Sequence, residues 1–147
     1  MHIENKKAFH DYTILEKLEA GVGLTGAEVK SLKGGHASLE GAFVRLMGSE
    51  AYLVNAQIFP YTFARPEKYD PKRTRKLLLH KRELISLKGK VEGSNLTLVP
   101  LVWYTKGPLV KLEIGLARGK KQYEKREANR REDVRRELER EFRGKVK

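Results

Sequence analysis

Apolar residues recur at every second position along several stretches of the chain, and this alternation is the feature that most restricts its fold. The first such stretch is interrupted only at Glu16, and its apolar members are Tyr12, Ile14, Leu18, Ala20, Val22 and Leu24. A period of two places these side chains on one face of an extended strand, which predicts a long strand with one buried face. Residues 42–46 and 52–58 alternate in the same way around "MGSE" and predict a hairpin. "LTLVPLVWY" and "VKLEI" around "TKGP" predict a further strand pair.

Two short helices and one more strand are predicted between these elements. In "TGAE" the Thr25 hydroxyl can accept from the N–H of Glu28 while the Glu28 carboxylate accepts from the N–H of Thr25. This capping box predicts a helix that stops at Gly34–Gly35. "TRKLLL" predicts a strand, and "HKRELISLKG" predicts a second helix. About six strands with mostly short links favour an antiparallel barrel over a parallel layered sheet.

Positive charge dominates the composition. The 147 residues include 31 lysines and arginines against 19 acidic residues, a formal net charge of +12. Such a surface favours polyanions, either nucleic acid or an anionic membrane. No apolar stretch approaches the roughly 18 residues of a membrane span, and the first residues lack the apolar segment of a signal peptide. We therefore expect a cytoplasmic protein with no membrane partner.

Candidate catalytic and metal-binding patterns are weak. Three glycines match the dinucleotide-binding spacing, namely Gly21, Gly23 and Gly26. The segment from Gly26 to Lys33 is too short for a parallel crossover helix, so a bent or bulged strand is the preferred interpretation. Without cysteine there are no thiolate ligands or nucleophiles, and the four histidines show no ligand spacing. Acidic residues such as Glu16, Glu19 and Glu28 form no recognisable constellation. We predict no enzymatic activity, metal or cofactor.

Basic residues fall into three clusters, "NKK", "DPKRTRK" and "ARGKKQYEKR". A single cluster is usually a solvated face. Three of them in so basic a chain favour nucleic acid, because each lysine or arginine set against a phosphate releases a counterion. Trp103 and Tyr104 are neighbours on a predicted strand, so one faces the core and the other can stack on a base. Tyr123 offers a second surface for stacking on an unpaired base.

The composition changes at Lys120, beyond which charged residues dominate. We predict a folded body over 1–119 and a basic tail over 120–147. Val134, Leu138 and Phe142 recur at four-residue spacing in that tail. The apolar stripe is narrow, so we expect a tail that is flexible alone and helical when bound, with permanent packing on the body as the alternative. No surplus apolar stripe is evident elsewhere, which predicts a monomer.

Four blocks carry a resemblance that covers nearly the whole chain: "LEAGVGLTGAEVKSLKGG", "DPKRTRKLLLHKREL", "LTLVPL" and "GLARGKKQYEKR". In order and spacing they resemble the small protein B (SmpB) family, bacterial partners of transfer-messenger RNA (tmRNA) in the rescue of stalled ribosomes. The resemblance implies a closed, antiparallel oligonucleotide-binding-type β-barrel with short helices. It also implies an adaptor that binds the tRNA-like domain of tmRNA and supports its charging with alanine.

Further partners follow from the same resemblance. Through tmRNA the adaptor is linked indirectly to alanyl-tRNA synthetase and to elongation factor Tu, which delivers the complex to the vacant A site. The tail then enters the empty mRNA channel beside the decoding centre of the small ribosomal subunit. Two alternatives remain open at this point: a general basic RNA-binding or ribosome-associated protein, and an RNA-processing enzyme.

Candidate site residues combine the resemblance with the basic clusters. Those assigned to the RNA-binding body are Asn5, Lys6, Lys7, His10, Glu19, Arg73 and Arg75. Those assigned to the basic block near the decoding centre are Lys120, Lys121, Tyr123, Lys125 and Arg126. Those assigned to the channel-directed tail are Arg130, Arg131, Val134, Arg135, Arg136 and Leu138. The carboxylate of Glu19 can accept from a base amino group or orient neighbouring lysines.

Overall fold

The computed structural model describes residues 1–61, 69–120 and 135–136, and within them the protein is mainly β with short helices, as predicted. The strands are β1 His2–Glu4, β2 Tyr12–Val22, β3 Ala37–Ser38, β4 Phe43–Met47, β5 Glu50–Val54, β6 Gln57–Ile58, β7 Arg75–Leu78, β8 Thr97–Lys106 and β9 Leu109–Gly119. The helices are α1 Lys6–Asp11, α2 Gly26–Lys33 and α3 Lys81–Gly93. The six predicted strands are present, and the additional ones are only two or three residues long.

Seven strands form one antiparallel sheet in the order β1-β8-β9-β2-β7-β5-β4, and β3 pairs with β6 separately. The long strand β2 pairs with β9 from Tyr12 opposite Gly119 to Ala20 opposite Leu112. Its register shifts between Ile14 and Glu16, so that one residue of β2 has no partner on β9. The extra residue reverses the face on which the following side chains lie, so Tyr12 and Ile14 pack on one face of the sheet and Leu18 and Ala20 on the other. The prediction that these residues share a single buried face is therefore wrong.

The predicted closed barrel is wrong for the described residues, where the sheet keeps two edges, β1 and β4. Strand β4 lies close to β8 without pairing with it. Part of the β8 backbone is occupied by β1 and the residue after it, because β1 pairs with Val102–Tyr104, the N–H of Asn5 donates to the Leu101 carbonyl at 2.7 Å, and Asn5 Nδ2 donates to the Pro100 carbonyl at 2.8 Å. Pro100 itself has no N–H to offer a closing strand.

Local sequence signals account for most element ends. The capping box at Thr25 and Glu28 is present, and α2 ends before Gly34 and Gly35, the latter with φ +80°. Of the three glycines in the pattern, Gly21 lies in the antiparallel strand β2, Gly23 follows it and Gly26 begins α2, so no parallel crossover is formed. The bulge of β2 lies earlier, between Ile14 and Glu16. The predicted strand over 52–58 is divided into β5 and β6, since Asn55 has φ 65°. Helix α3 continues past Gly89 to Gly93.

The core consists of two apolar clusters on opposite faces of the sheet. The larger cluster includes Trp103, Leu32 of α2 and Leu87 of α3. The smaller cluster lies under α1 and contains Ala8, Val99, Leu101, Val102 and Ala117. Trp103 is fully buried while its neighbour Tyr104 lies on the other face, which confirms the prediction that the two point in opposite directions. The outer face of β8, β9 and β2 beyond α1 therefore remains available to solvent.

Candidate nucleic-acid interface

Glu19 lies on the outer face of β2, where two side chains of β8 reach across β9 and hold its carboxylate in place. Tyr104 Oη donates to Glu19 Oε2 at 2.6 Å, and Lys106 Nζ lies 3.4 Å from both carboxylate oxygens. The hydrogen bond from Tyr104 lowers the pKa of Glu19, and Lys106 and Lys111 lower it further. Burial, followed by the bond to Glu19, raises the pKa of the Tyr104 phenol, so the hydroxyl remains a donor. The sheet thus presents a fixed, ionised acceptor to solvent.

Helix α1 and the end of β9 form a second region of the candidate interface. Asn5 is buried and caps α1, since its Oδ1 accepts from the N–H of Ala8 at 3.2 Å. Its two bonds to β8 fix the helix on the sheet, so the structure gives Asn5 a positioning role. His10 Nδ1 lies 2.9 Å from Asp11 Oδ1, and both side chains are partly exposed.

Lys120 joins the end of β9 to α1. Its N–H donates to the Asp11 carbonyl at 2.9 Å, and its Nζ donates to the Phe9 carbonyl at 3.2 Å. Pairing of Tyr12 with Gly119 brings these distant parts of the sequence together. Exposed Lys6 and Lys7 lie on the same helix. Three lysines from distant parts of the sequence therefore lie on or against α1.

Arg75 does not belong to the exposed surface, which corrects its assignment as an RNA contact. Its side chain is 0% exposed, and its Nη2 and Nε lie 2.6 Å and 2.8 Å from Glu28 Oε2. It also donates to the Ala56 carbonyl at 2.8 Å. A guanidinium enclosed in this way has no free surface for a phosphate. The structure gives Arg75 a structural role in place of the predicted contact.

The buried carboxylate of Glu28 is the centre of this structural cluster. Arg73 also binds it through Nε and Nη2, although its side chain remains 34% exposed. Tyr69 Oη donates to Glu28 Oε2 at 3.1 Å. Burial alone would raise the pKa of Glu28, but hydrogen bonds from Arg73, the Thr25 N–H and Arg75 hold it at about 2. The cluster ties α2 to β7 and to the segment before it.

The remaining predicted residues are described only in part. Arg135 and Arg136 are exposed and helical. Those outside the described residues are Lys121, Tyr123, Lys125, Arg126, Arg130, Arg131, Val134 and Leu138. Among the residues that the structure covers, no group of three or more histidine or acidic side chains could hold a metal ion. No helix in that part of the chain is long and apolar enough to span a membrane.

Sequence reasoning missed the partners of Glu19. The sequence left open which of Trp103 and Tyr104 faces outward, and nothing in it distinguished Lys106 from the other lysines. The three residues meet because β8 and β2 flank β9 in the sheet, a neighbourhood that depends on strand order. Cross-strand partners of this kind have no fixed spacing in a sequence.

An antiparallel sheet with a fixed polar outer face and a strong positive charge defines a small basic β-sheet protein with a polyanion-binding surface. A family model described as SmpB protein matches residues 2–144. The chain belongs to the SmpB family.

Known relatives agree with this assignment. The chain is 54% identical over 143 residues to the SsrA-binding protein of Sulfurihydrogenibium sp. (strain YO3AOP1), covering 97% of this chain and 94% of the relative. It is 51% identical over 138 residues to the SsrA-binding protein of Thermus thermophilus, covering 93% and 96%. A solved chain described as "tmRNA-SmpB: a journey to the center of the bacterial ribosome" superposes with a TM-score of 0.70 at 48% identity, covering 88% of this chain and 95% of that one.

Proposed function

We propose that this protein is an RNA-binding adaptor of trans-translation. It binds the tRNA-like domain of tmRNA, supports alanylation of that RNA, and accompanies it to the A site of stalled ribosomes in the bacterial cytoplasm. Membership of the SmpB family across residues 2–144 is the observation that carries this proposal. The adaptor performs no chemistry of its own, and it meets alanyl-tRNA synthetase and elongation factor Tu through the RNA.

The folded body, residues 1–119, holds the RNA. Glu19 supplies a fixed acceptor on the outer face of the sheet, with Lys106 beside it to offset its charge toward phosphate. Exposed Lys6 and Lys7 on α1 supply further positive charge. RNA binding then combines a directional hydrogen bond to the carboxylate with the general electrostatic attraction of a +12 chain.

The tail, residues 120–147, enters the empty mRNA channel of the ribosome. Its root is fixed by Lys120, whose backbone and side chain both bind carbonyls of α1. This attachment supports a division of labour in which the body binds RNA and sets the direction in which the tail leaves. The apolar spacing of Val134 and Leu138 supports a helix that forms on contact with the channel.

Replacing Glu19 with alanine tests the RNA-binding face. An ionised carboxylate held in place makes charge-assisted hydrogen bonds to RNA donors, so Glu19→Ala is expected to weaken binding to the tRNA-like domain about tenfold or more. The direction of the change in affinity is informative. Removing a negative charge from a position that does not contact RNA would tighten binding to any RNA. The measurement is a filter-binding titration at near-physiological salt.

Glu92→Ala is the matched control for this experiment, since Glu92 is an exposed carboxylate on α3. Its affinity is expected to equal or slightly exceed that of the wild type. Unchanged or tighter binding by Glu19→Ala would contradict the assigned face and favour a general basic RNA-binding protein.

A further inference from the structure

A second tyrosine–glutamate–lysine cluster lies on the same outer face of the sheet as Glu19. Tyr52 Oη donates to Glu50 Oε2 at 2.7 Å, and Lys76 Nζ lies 2.9 Å from Glu50 Oε1. The hydrogen bond from Lys76, followed by that from Tyr52, lowers the pKa of Glu50. This is the chemistry of the Glu19, Tyr104 and Lys106 cluster, built from two other strands, β5 and β7.

The register of the sheet connects the two clusters. Lys76 and Leu78 lie two residues apart on β7 and share its outer face, because their neighbours Arg75 and Leu77 are buried. Leu78 is paired with Gly21 on β2, which lies two residues from Glu19 on the same face. The two carboxylates are therefore two strands apart, roughly 10 Å across the sheet.

The surface between the clusters is formed by an apolar side chain and by glycines. Leu78 is 55% exposed and lies between the two clusters. A Cβ added to Gly21 would lie 3.2 Å from the Leu78 Cβ, so the glycine leaves space for this leucine. The nearest atom to a Cβ added to Gly23 is the Lys76 carbonyl oxygen at 3.7 Å. Neither Gly21, in β2, nor Gly23, just after it, places a side chain between the clusters.

We propose that Glu50, held by Tyr52 and Lys76, is a second RNA contact that extends the Glu19 face across β7 and β5 and receives the minor groove of a base-paired RNA segment. The inference rests on the proposed function, whose RNA-binding face it enlarges. Lys76 on β7 and Tyr52 on its own strand lower the pKa of Glu50, and Lys81 and Lys88 of α3 line the same pocket as its side chain.

The chemistry of an RNA minor groove matches this arrangement. That groove is wide and shallow, and it displays 2′-hydroxyls and guanine amino groups, all of which can donate to a carboxylate. The ammonium of Lys76 offsets the charge of Glu50, and it retains donors for a phosphate. A carboxylate without a neighbouring ammonium group would repel the phosphate backbone of the RNA. Two acceptors that flank an exposed leucine can therefore contact riboses on one RNA helix.

The test compares variants of the full chain in binding to the tRNA-like domain of tmRNA. Glu50→Ala is expected to weaken binding about tenfold, and Tyr52→Phe, which keeps the ring and removes the hydroxyl, to weaken it a few-fold. Glu92→Ala again serves as the control for charge. Hydroxyl-radical footprinting supplies an independent readout, in which Glu50→Ala is expected to expose discrete riboses that the wild type protects.

The outcomes separate this inference from the proposed function. If Glu50→Ala binds as tightly as the wild type, or more tightly, with the same footprint, the second contact is overturned while the adaptor role stands. If the wild-type protein itself shows no preference for the tRNA-like domain over elongator tRNA, the proposed function is overturned and this ligand assignment with it.

Discussion

Removing residues 127–147 is expected to abolish peptide tagging on stalled ribosomes while leaving binding to the tRNA-like domain unchanged. The truncated chain keeps the whole body, the Glu19 cluster and the attachment of Lys120 to α1. It loses the segment in which Val134 and Leu138 recur at helical spacing. Tagging is measured with ribosomes stalled on a message without a stop codon, and binding with the same RNA titration as above.

A full-length variant controls for the loss of charge and length in this experiment. Val134→Ser combined with Leu138→Ser keeps every basic residue of the tail but removes two of its apolar positions. It is expected to lose most tagging activity, because the helix could no longer bury an apolar stripe when bound. Tagging by the truncated protein at the wild-type level would contradict the division of labour between body and tail.

Arg75→Ala is expected to lower the free energy of unfolding by about 3–5 kcal/mol, the second large effect in this protein. The substitution leaves the Glu28 carboxylate buried without the guanidinium that donates to it at 2.6 Å and 2.8 Å. It also removes a donor from the Ala56 carbonyl. The measurement is urea denaturation followed by circular dichroism, with the midpoint and slope compared with those of the wild type.

Arg82→Ala is the matched control, because Arg82 is exposed on α3 and its loss should change stability by no more than about 0.5 kcal/mol. A different outcome for Arg75→Ala would contradict its structural role. An Arg75→Ala protein of wild-type stability that had lost RNA affinity would restore Arg75 to the RNA-binding surface and contradict its structural role.

Local sequence patterns predicted the long elements because their physical causes are local. The capping box at Thr25 and Glu28 and the glycines after α2 fix that helix within ten residues of sequence. Alternation predicted β2, and the position of Glu16 that broke the pattern proved to be the site of a bulge. Only the short elements β1, α1 and β3 went unpredicted, since two to six residues are too few to establish a period.

Non-local contacts decided what the sequence could not predict. The open sheet has β1 at one edge, and the residue after β1, Asn5, binds the Pro100 and Leu101 carbonyls, a contact between positions almost a hundred residues apart. Burial of Arg75 likewise depends on Glu28, 47 positions away, so a basic cluster that resembles a surface patch was divided between interior and exterior. Glu19 was assigned from family resemblance alone, and its partners required the strand order.

The central claim is that this protein recognises the tRNA-like domain of tmRNA specifically. The most direct measurement is binding of the purified full-length protein to that domain at near-physiological salt, with excess elongator tRNA as competitor. We predict tight binding that survives the competitor. A fixed carboxylate such as Glu19 can accept hydrogen bonds only from RNA donors in a matching position, whereas the net charge of +12 attracts every RNA alike. Weak binding that any tRNA displaces equally would contradict the adaptor role and leave a general basic RNA-binding protein.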